Sequence, residues 1–184
     1  MQTLPPALTP ARGVRRQELK AVKIAHLVCF RIGKETFGVD IFSVREIVRV
    51  QEITKVPGAP DFVMGVINLR GRIISVVDLG RQLGQPPTEI GRSSRILVIQ
   101  LDGITVGFLV DAATAVMKVP GDAIEPPPEM MGDIRADYLD GVAKLEGRLA
   151  ILLNLKKVLS TPQVVAAAAE AAPAAEPVGA ERNG

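Results

Sequence analysis

The chain has no tryptophan, one tyrosine, one cysteine and one histidine among its 184 residues. A lone cysteine, Cys29, excludes an intramolecular disulfide framework and is ordinary for a reducing compartment. His26 and Cys29 stand three positions apart, so on a strand they point to opposite faces and cannot form a local nucleophile and base. With one His and one Cys there is no zinc-ligand spacing, and no glycine-rich phosphate loop of the GxxxxGK[ST] or GxGxxG type occurs. The carboxylates Asp40, Glu46, Asp78 and Asp111 are scattered and read as strand-end or surface residues. No catalytic residue, metal ligand or cofactor site is expected. Aromatics are equally scarce: Phe30, Phe37, Phe42 and Phe108 fall within strand patterns and read as core rather than as platforms for stacked bases. A small β-barrel binding nucleic acid is therefore the alternative function, ranked second.

Two further absences narrow the class. The start, "MQTLPPALTPARGVRR", has three prolines and no apolar h-region, unlike a secretory signal. No apolar run approaches the roughly 18 residues that span a bilayer, so direct membrane insertion is not expected. Charges of the two signs nearly balance at a net +2, and no whole-molecule field favours nucleic acid. Arg12, Arg15, Arg16, Lys20 and Lys23 cluster near the start and read as a soluble, flexible arm over residues 1–23. A cytoplasmic location is expected.

What the chain does contain is a repeat. "LVCFRIGKETFGVDIFSVREIVRV" (27–50) aligns with "ILVIQLDGITVGFLVDAATAVMKV" (96–119) at a constant offset of 69. "PDFVMGVINLRGRIISVVDLGRQLG" (60–84) aligns with "ADYLDGVAKLEGRLAILLNLKKVLS" (136–160) at an offset of 76, so seven residues entered the second copy, around "GDAIEPPPEMMGDI". Each copy consists of short, β-branched apolar runs separated by turn signals, which predicts strands. Asp102-Gly103 marks a hairpin between "RILVIQL" and "ITVGFLV", and Gly33-Lys34 occupies the same place in the first copy. "FSVREIVR" fits a helical turn or a strand, and "LGRQLG" and "LKKVLS" read as single helical turns.

Four or five short antiparallel strands in about sixty residues predict a small closed barrel in each half, since closure removes edges. Such a unit buries only about 60% of its unfolded surface. The two must therefore pack together, with a cleft expected between them. The folded region is expected at 24–160, followed at 161–184 by a disordered Ala/Pro-rich tail with at most one frayed helix.

The two closing hairpins differ at one place. In "GVINLRGRIISVVDLG" (65–80) the tip is Arg70-Gly71, and in "GVAKLEGRLAILLNLK" (141–156) it is Glu146-Gly147. Gly65, Gly71 and Gly147 are read as structural turn glycines. A tip that reverses charge between copies is not held by folding, which makes Arg70 a candidate for recognition of a carboxylate or carbonyl on a partner.

The stretch "VPGAPDFVMGVINLRGRIISVVDLG" (56–80), with "VGFLVDAATAVMKV" and "YLDGVAKLEGRLAILLNLKKVL" following in order, closely resembles the CheW family of chemotaxis coupling proteins, over roughly 24–159. The resemblance implies an all-β fold of two intertwined, five-stranded SH3-like barrels with short helical turns. It implies a non-enzymatic scaffold in a two-component pathway, associated with membrane receptor arrays and linking the cytoplasmic tip of methyl-accepting receptors to the regulatory domain of the histidine kinase CheA. Carried over residue by residue, the receptor side of the site is Val44, Glu46, Arg70 and Val116, and the kinase side falls near Val50 to Val56. Ser75 stands where many relatives carry proline, Gly80 where arginine is common, and Asn154 where aspartate is common.

Overall fold

A computed structural model describes residues 23–128, 134 and 136–171. The basic cluster up to Lys20 and residues 172–184 of the expected tail lie outside them. The strands are β1 (Ile24–Ile32), β2 (Glu35–Asp40), β3 (Val44–Arg49), β4 (Val63–Leu69), β5 (Arg72–Asp78), β6 (Arg95–Leu101), β7 (Ile104–Val110), β8 (Ala112–Pro120), β9 (Ile124–Glu125), β10 (Leu139–Leu145) and β11 (Arg148–Leu153). The helices are α1 (Leu79–Gln82), α2 (Leu155–Leu159) and α3 (Pro162–Ala171). The ambiguous "FSVREIVR" resolves into a 3₁₀ turn at Ile41–Ser43, started by Asp40 accepting from the Phe42 amide, and then β3.

The strands form two sheets, ordered β8-β1-β2-β11-β10-β9 and β3-β6-β7-β5-β4. Set against the repeat, both sheets have the same plan, yet neither belongs to one copy. The first takes the hairpin β1-β2 from the N-terminal copy and β8, β10 and β11 from the C-terminal one; the second takes β6-β7 from the C-terminal copy and β3, β4 and β5 from the N-terminal one. The crossovers are parallel pairs in matching register: Gly38 faces Leu152 between β2 and β11, and Gly107 faces Val76 between β7 and β5. Those pairs are related by the offsets 69 and 76 themselves. The expectation of one barrel per half is thus corrected: each sheet is shared between the halves, which agrees with the intertwining that the resemblance implies.

The ladders do not close into barrels either. β9 is two residues long and runs into Pro126-Pro127-Pro128, which have no N–H to extend the pairing. The outer edge of β4 is met by a single bridge, Thr54 with Val66, before Pro57 and Pro60 end the ladder.

Strand alternation explains the continuous apolar runs, because both faces of the central strands are buried. In β1, Leu27 and Cys29 point into one small cluster with Val119, Ala143, Ala150 and Leu152. Val28, Phe30 and Ile32 point the other way, into the largest cluster, which also holds Val77, Leu97, Ile99, Phe108, Ile151 and Leu159. β6 repeats this, with Ile96 and Val98 in a third cluster and Leu97 and Ile99 in the shared one. The junction between the sheets is therefore mainly a packed core, and the cleft that remains, of about 440 Å³, lies at its end between the β1-β2 turn and the 85–94 loop.

Two of the sequence expectations fail locally. Phe42 is 87% exposed, because the 3₁₀ turn lifts it off the strand pattern, and it stacks on His26 at 6.4 Å. The chain also does not leave the fold at Ser160: Val164 and Ala167 of α3 are buried, and the Ser75 hydroxyl donates to the Ala167 carbonyl. An Ala-rich helix face can approach a sheet closely, and Val164 at the i−3 position supplies its apolar anchor.

Candidate functional site

The hairpin β4-β5 turns at Arg70 and Gly71, both with positive φ, at 53° and 82°. This is the two-residue turn that Asn-Gly or Asp-Gly sequences favour. The hairpin β6-β7 uses such a sequence, Asp102-Gly103, at 50° and 82°. Arg70 is a poor choice for the left-handed position, which costs an ordinary L-residue about 1–2 kcal/mol. Turn geometry alone does not select an arginine here.

What Arg70 does from that tip is reach back to β3. Its Nη2 lies 3.0 Å from Glu46 Oε2, and its Nη1 donates to Glu46 Oε1 at 3.2 Å, a two-pronged guanidinium–carboxylate pair. The Arg70 side chain is 77% exposed while that of Glu46 is 20% exposed. The pair therefore presents the guanidinium outward and holds the carboxylate against the sheet. Glu46 gets its orientation from a β-bulge between Val44 and Glu46 in the β3-β6 ladder, which re-aims the strand. Arg70 is thus not a freely solvated tip charge but one already held by a carboxylate of its own chain. The Asn68 side chain accepts from the Gly71 amide and clamps the turn from within. Around the pair, Arg45, Leu69, Arg72, Ile74, Val98 and Thr105 complete a small depression of about 150 Å³.

The remaining carried-over positions are spread. Val44 begins β3, half-buried against the shared core. Val116 is 60% exposed on β8, opposite the buried Val28, at the edge of the other sheet. Arg70 and Glu46 are brought into contact, Val44 shares β3 with Glu46, and Val116 stands on the matching edge strand of the pseudo-symmetric sheet. The stretch Val50 to Val56 borders a separate cavity of about 890 Å³.

The three glycines play unequal parts. Gly71 and Gly147 are true turn residues with open space around a built Cβ. Gly65 is no turn residue. It sits inside β4 at a bulge, with φ +139°, and a Cβ there would meet the Thr54 carbonyl oxygen at 2.1 Å. Gly141 repeats the arrangement in β10, where the same Cβ would meet the Glu125 carbonyl oxygen at 2.7 Å. Sequence reading gave Gly65 the wrong role because a bulge leaves no local turn signature.

Asp78, read from sequence as a strand-end or surface residue, does end β5 but is a buried carboxylate, 1% exposed. It caps α1 through the Arg81 amide and accepts from both the amide and the hydroxyl of Thr88. It ties the 85–90 loop to the end of β5, a structural task. Its counterpart Asn154 caps α2 through the Lys157 amide and donates to Asp140. Cys29 is buried at 1% exposure, and burial raises its thiol pKa above the ordinary value, which keeps it neutral and unreactive. His26 sits half-buried on the opposite face of β1.

The family profile of the CheW-like domain matches residues 26–163, spanning both sheets and reaching the start of α3. The "Probable chemotaxis protein CheW" of Rhizobium etli is 36% identical over 141 residues, covering 77% of this chain and 91% of that protein. The "Chemotaxis protein CheW" of Rhizobium meliloti is 37% identical over the same extent. Among solved structures, the scaffolding protein TtCheW from Thermoanaerobacter tengcongensis superposes with a TM-score of 0.70 at 34% identity, covering 77% of this chain and 91% of that one.

Proposed function

Because the chain belongs to the family of the CheW-like domain, we propose that it acts as a non-enzymatic coupler in chemotactic signal transduction, joining the cytoplasmic tip of methyl-accepting receptors to the histidine kinase CheA. It works on the cytoplasmic side of the membrane within receptor arrays. The observation that carries the reading is the family match over both intertwined sheets. A two-sheet body with a packed junction supplies what a coupler needs: a rigid link whose separate edges face separate partners.

In this reading Val44, Glu46, Arg70 and Val116 face the receptor. Arg70, fixed by Glu46 and yet exposed, offers its outward N–H groups to carboxylates or carbonyls on a helical hairpin. Because the guanidinium is already oriented, little side-chain entropy is lost when a partner binds. Val116 adds an exposed apolar contact from the other sheet. The kinase's regulatory domain meets the end of the second sheet near Val50 to Val56.

Co-sedimentation with receptor signalling fragments and kinase tests the reading. A ternary complex that needs this chain is expected. Failure to bring receptor and kinase together, with each partner shown to be active, would overturn it. No feature favours nucleic acid: the only exposed aromatic among the described phenylalanines is Phe42, and it is stacked on a histidine.

A further inference from the structure

The cavity beside Val50 to Val56 has a feature that neither folding nor composition explains. Its rim carries four cations, Arg49, Lys55, Arg92 and Arg95, and no carboxylate lines it. Arg49 and Arg95 are directly opposite each other in the β3-β6 ladder, and like charges in that relation are destabilising. None of the four takes part in an ion pair among the described residues. Glu52 and Glu89 are neighbours in sequence but do not line the cavity. Arg95 is held in place, its Nη1 donating to the carbonyls of Arg92 at 2.8 Å and Ser94 at 2.7 Å.

The repeat provides an internal control. The counterparts of Arg49 and Arg95 in the other sheet are Lys118, from the C-terminal copy, and His26, from the N-terminal one, again opposite each other, between β8 and β1. The same fold therefore accepts histidine where Arg95 stands, so a second arginine is not required by the sheet. The floor of the cavity is apolar, made by Val50, Ile53 and Met64, and Ile90 stands at its mouth 53% exposed. No aromatic lines it, so it offers stacked bases no platform.

Uncompensated cations around an apolar floor fit one kind of occupant. We propose that this is a docking surface for a partner protein face that places an apolar side chain in the depression and ringed carboxylates against Arg49, Lys55, Arg92 and Arg95. The inference rests on the coupler reading and names the chemistry of its kinase side: the face of the kinase's regulatory domain that binds here is acidic-rimmed, and this charge match selects the partner. Charge of this kind acts mainly through encounter rate and through rejection of wrong partners, and it weakens with salt.

The test uses the full chain carrying Lys55→Glu and Arg92→Glu, two exposed positions that leave the Arg95 hydrogen bonds intact. Kinase binding is measured at low and high salt, beside receptor-fragment binding and thermal melting. Expected is a loss of kinase affinity of about tenfold or more at low salt, shrinking at high salt as screening removes the rim's contribution. Melting and receptor binding should hold, and the conservative Lys55→Arg variant should bind kinase as the wild type does. Unchanged kinase affinity in the double variant, or a wild-type affinity insensitive to salt, overturns the inference while leaving the coupler reading intact. Wild-type protein that binds neither kinase nor receptor overturns the coupler reading itself. Salt-sensitive binding of an oligonucleotide that the double variant abolishes would assign the rim to nucleic acid and likewise overturn the inference.

Discussion

At the scale of single residues, the sequence locates Arg70 but hides what is unusual about it. A hairpin tip between apolar strands is legible from "INLRGRII", and so is its charge reversal to Glu146 in the duplicate. The positive φ of Arg70 and its two-pronged contact with Glu46, twenty-four residues earlier, are not, because the first depends on turn type and the second on a bulge in β3. Together they make a prediction that separates function from stability. Arg70→Asn puts a residue tolerant of left-handed backbone at the tip, and its only stability loss is an exposed ion pair of about 0–1 kcal/mol. Its melting temperature is expected to equal or exceed that of the wild type, while assembly of receptor and kinase falls several-fold. Normal kinase coupling in that variant, or a collapse in melting temperature, would refute the recognition role. A second residue prediction concerns glycine. Gly65→Ala drives a methyl into the Thr54 carbonyl and should cost about 3 kcal/mol or prevent folding, as strained or overpacked sites do. Gly71→Asn should cost no more than about 1 kcal/mol, since the space is open and only φ is special. Denaturant titration ranks them, and equal stabilities would mean that the Thr54 segment moves freely away from β4.

At the scale of elements, what was legible is what depends on local pattern. The strands of both copies, the single helical turns α1 and α2 and the hairpin at Asp102-Gly103 all follow from alternation and turn chemistry. Helix α3 was legible only as a frayed helix of the tail, because its docking relies on a distant hydroxyl that the run "PQVVAAAAE" does not announce. Ser75 donates to the Ala167 carbonyl, a contact that no reading of the tail alone could find. The prediction for the tail accordingly splits in two. Ending the chain after Thr161 removes the buried Val164 and Ala167 and uncovers part of the shared core. That should cost about 2–3 kcal/mol, the value of one large aliphatic side chain with its neighbours. Ending it after Ala171 should leave melting unchanged. If the shorter chain melts like the full one, α3 lies on the sheet without stabilising it, and the Ser75 contact is incidental.

At the scale of the whole molecule, the repeat is legible in the residues, whereas the exchange of hairpins enters only through the family resemblance, which implies intertwined halves. Two copies that each form a unit, and two copies that trade β1-β2 for β6-β7, bury the same residues on the same faces; the parallel pairs Gly38–Leu152 and Gly107–Val76 and the antiparallel ladders β1-β8 and β3-β6 distinguish them, and pairing across copies leaves no local signature. The exchange makes the halves interdependent more strictly than small size does. Cut at Gly91, the N-terminal piece retains β3, β4 and β5 but loses the hairpin β6-β7 that stands between β3 and β5 in their sheet. The C-terminal piece likewise loses β1-β2 from between β8 and β11. Each also surrenders its side of the shared core, where Phe30 and Phe37 come from one half and Phe108 and Ile151 from the other. Neither fragment alone should give a cooperative melt or dispersed amide spectra. An equimolar mixture should recover both, because every interface lost on cutting is intermolecular and intact between the pieces, although the association adds a concentration dependence that the single chain lacks. A lone N-terminal fragment that melts cooperatively as a monomer would show that β1-β2 can fill the gap between its own β3 and β5. The joined chain would then be choosing the exchanged form over a self-contained one, and the rigidity of the coupler would rest on that choice.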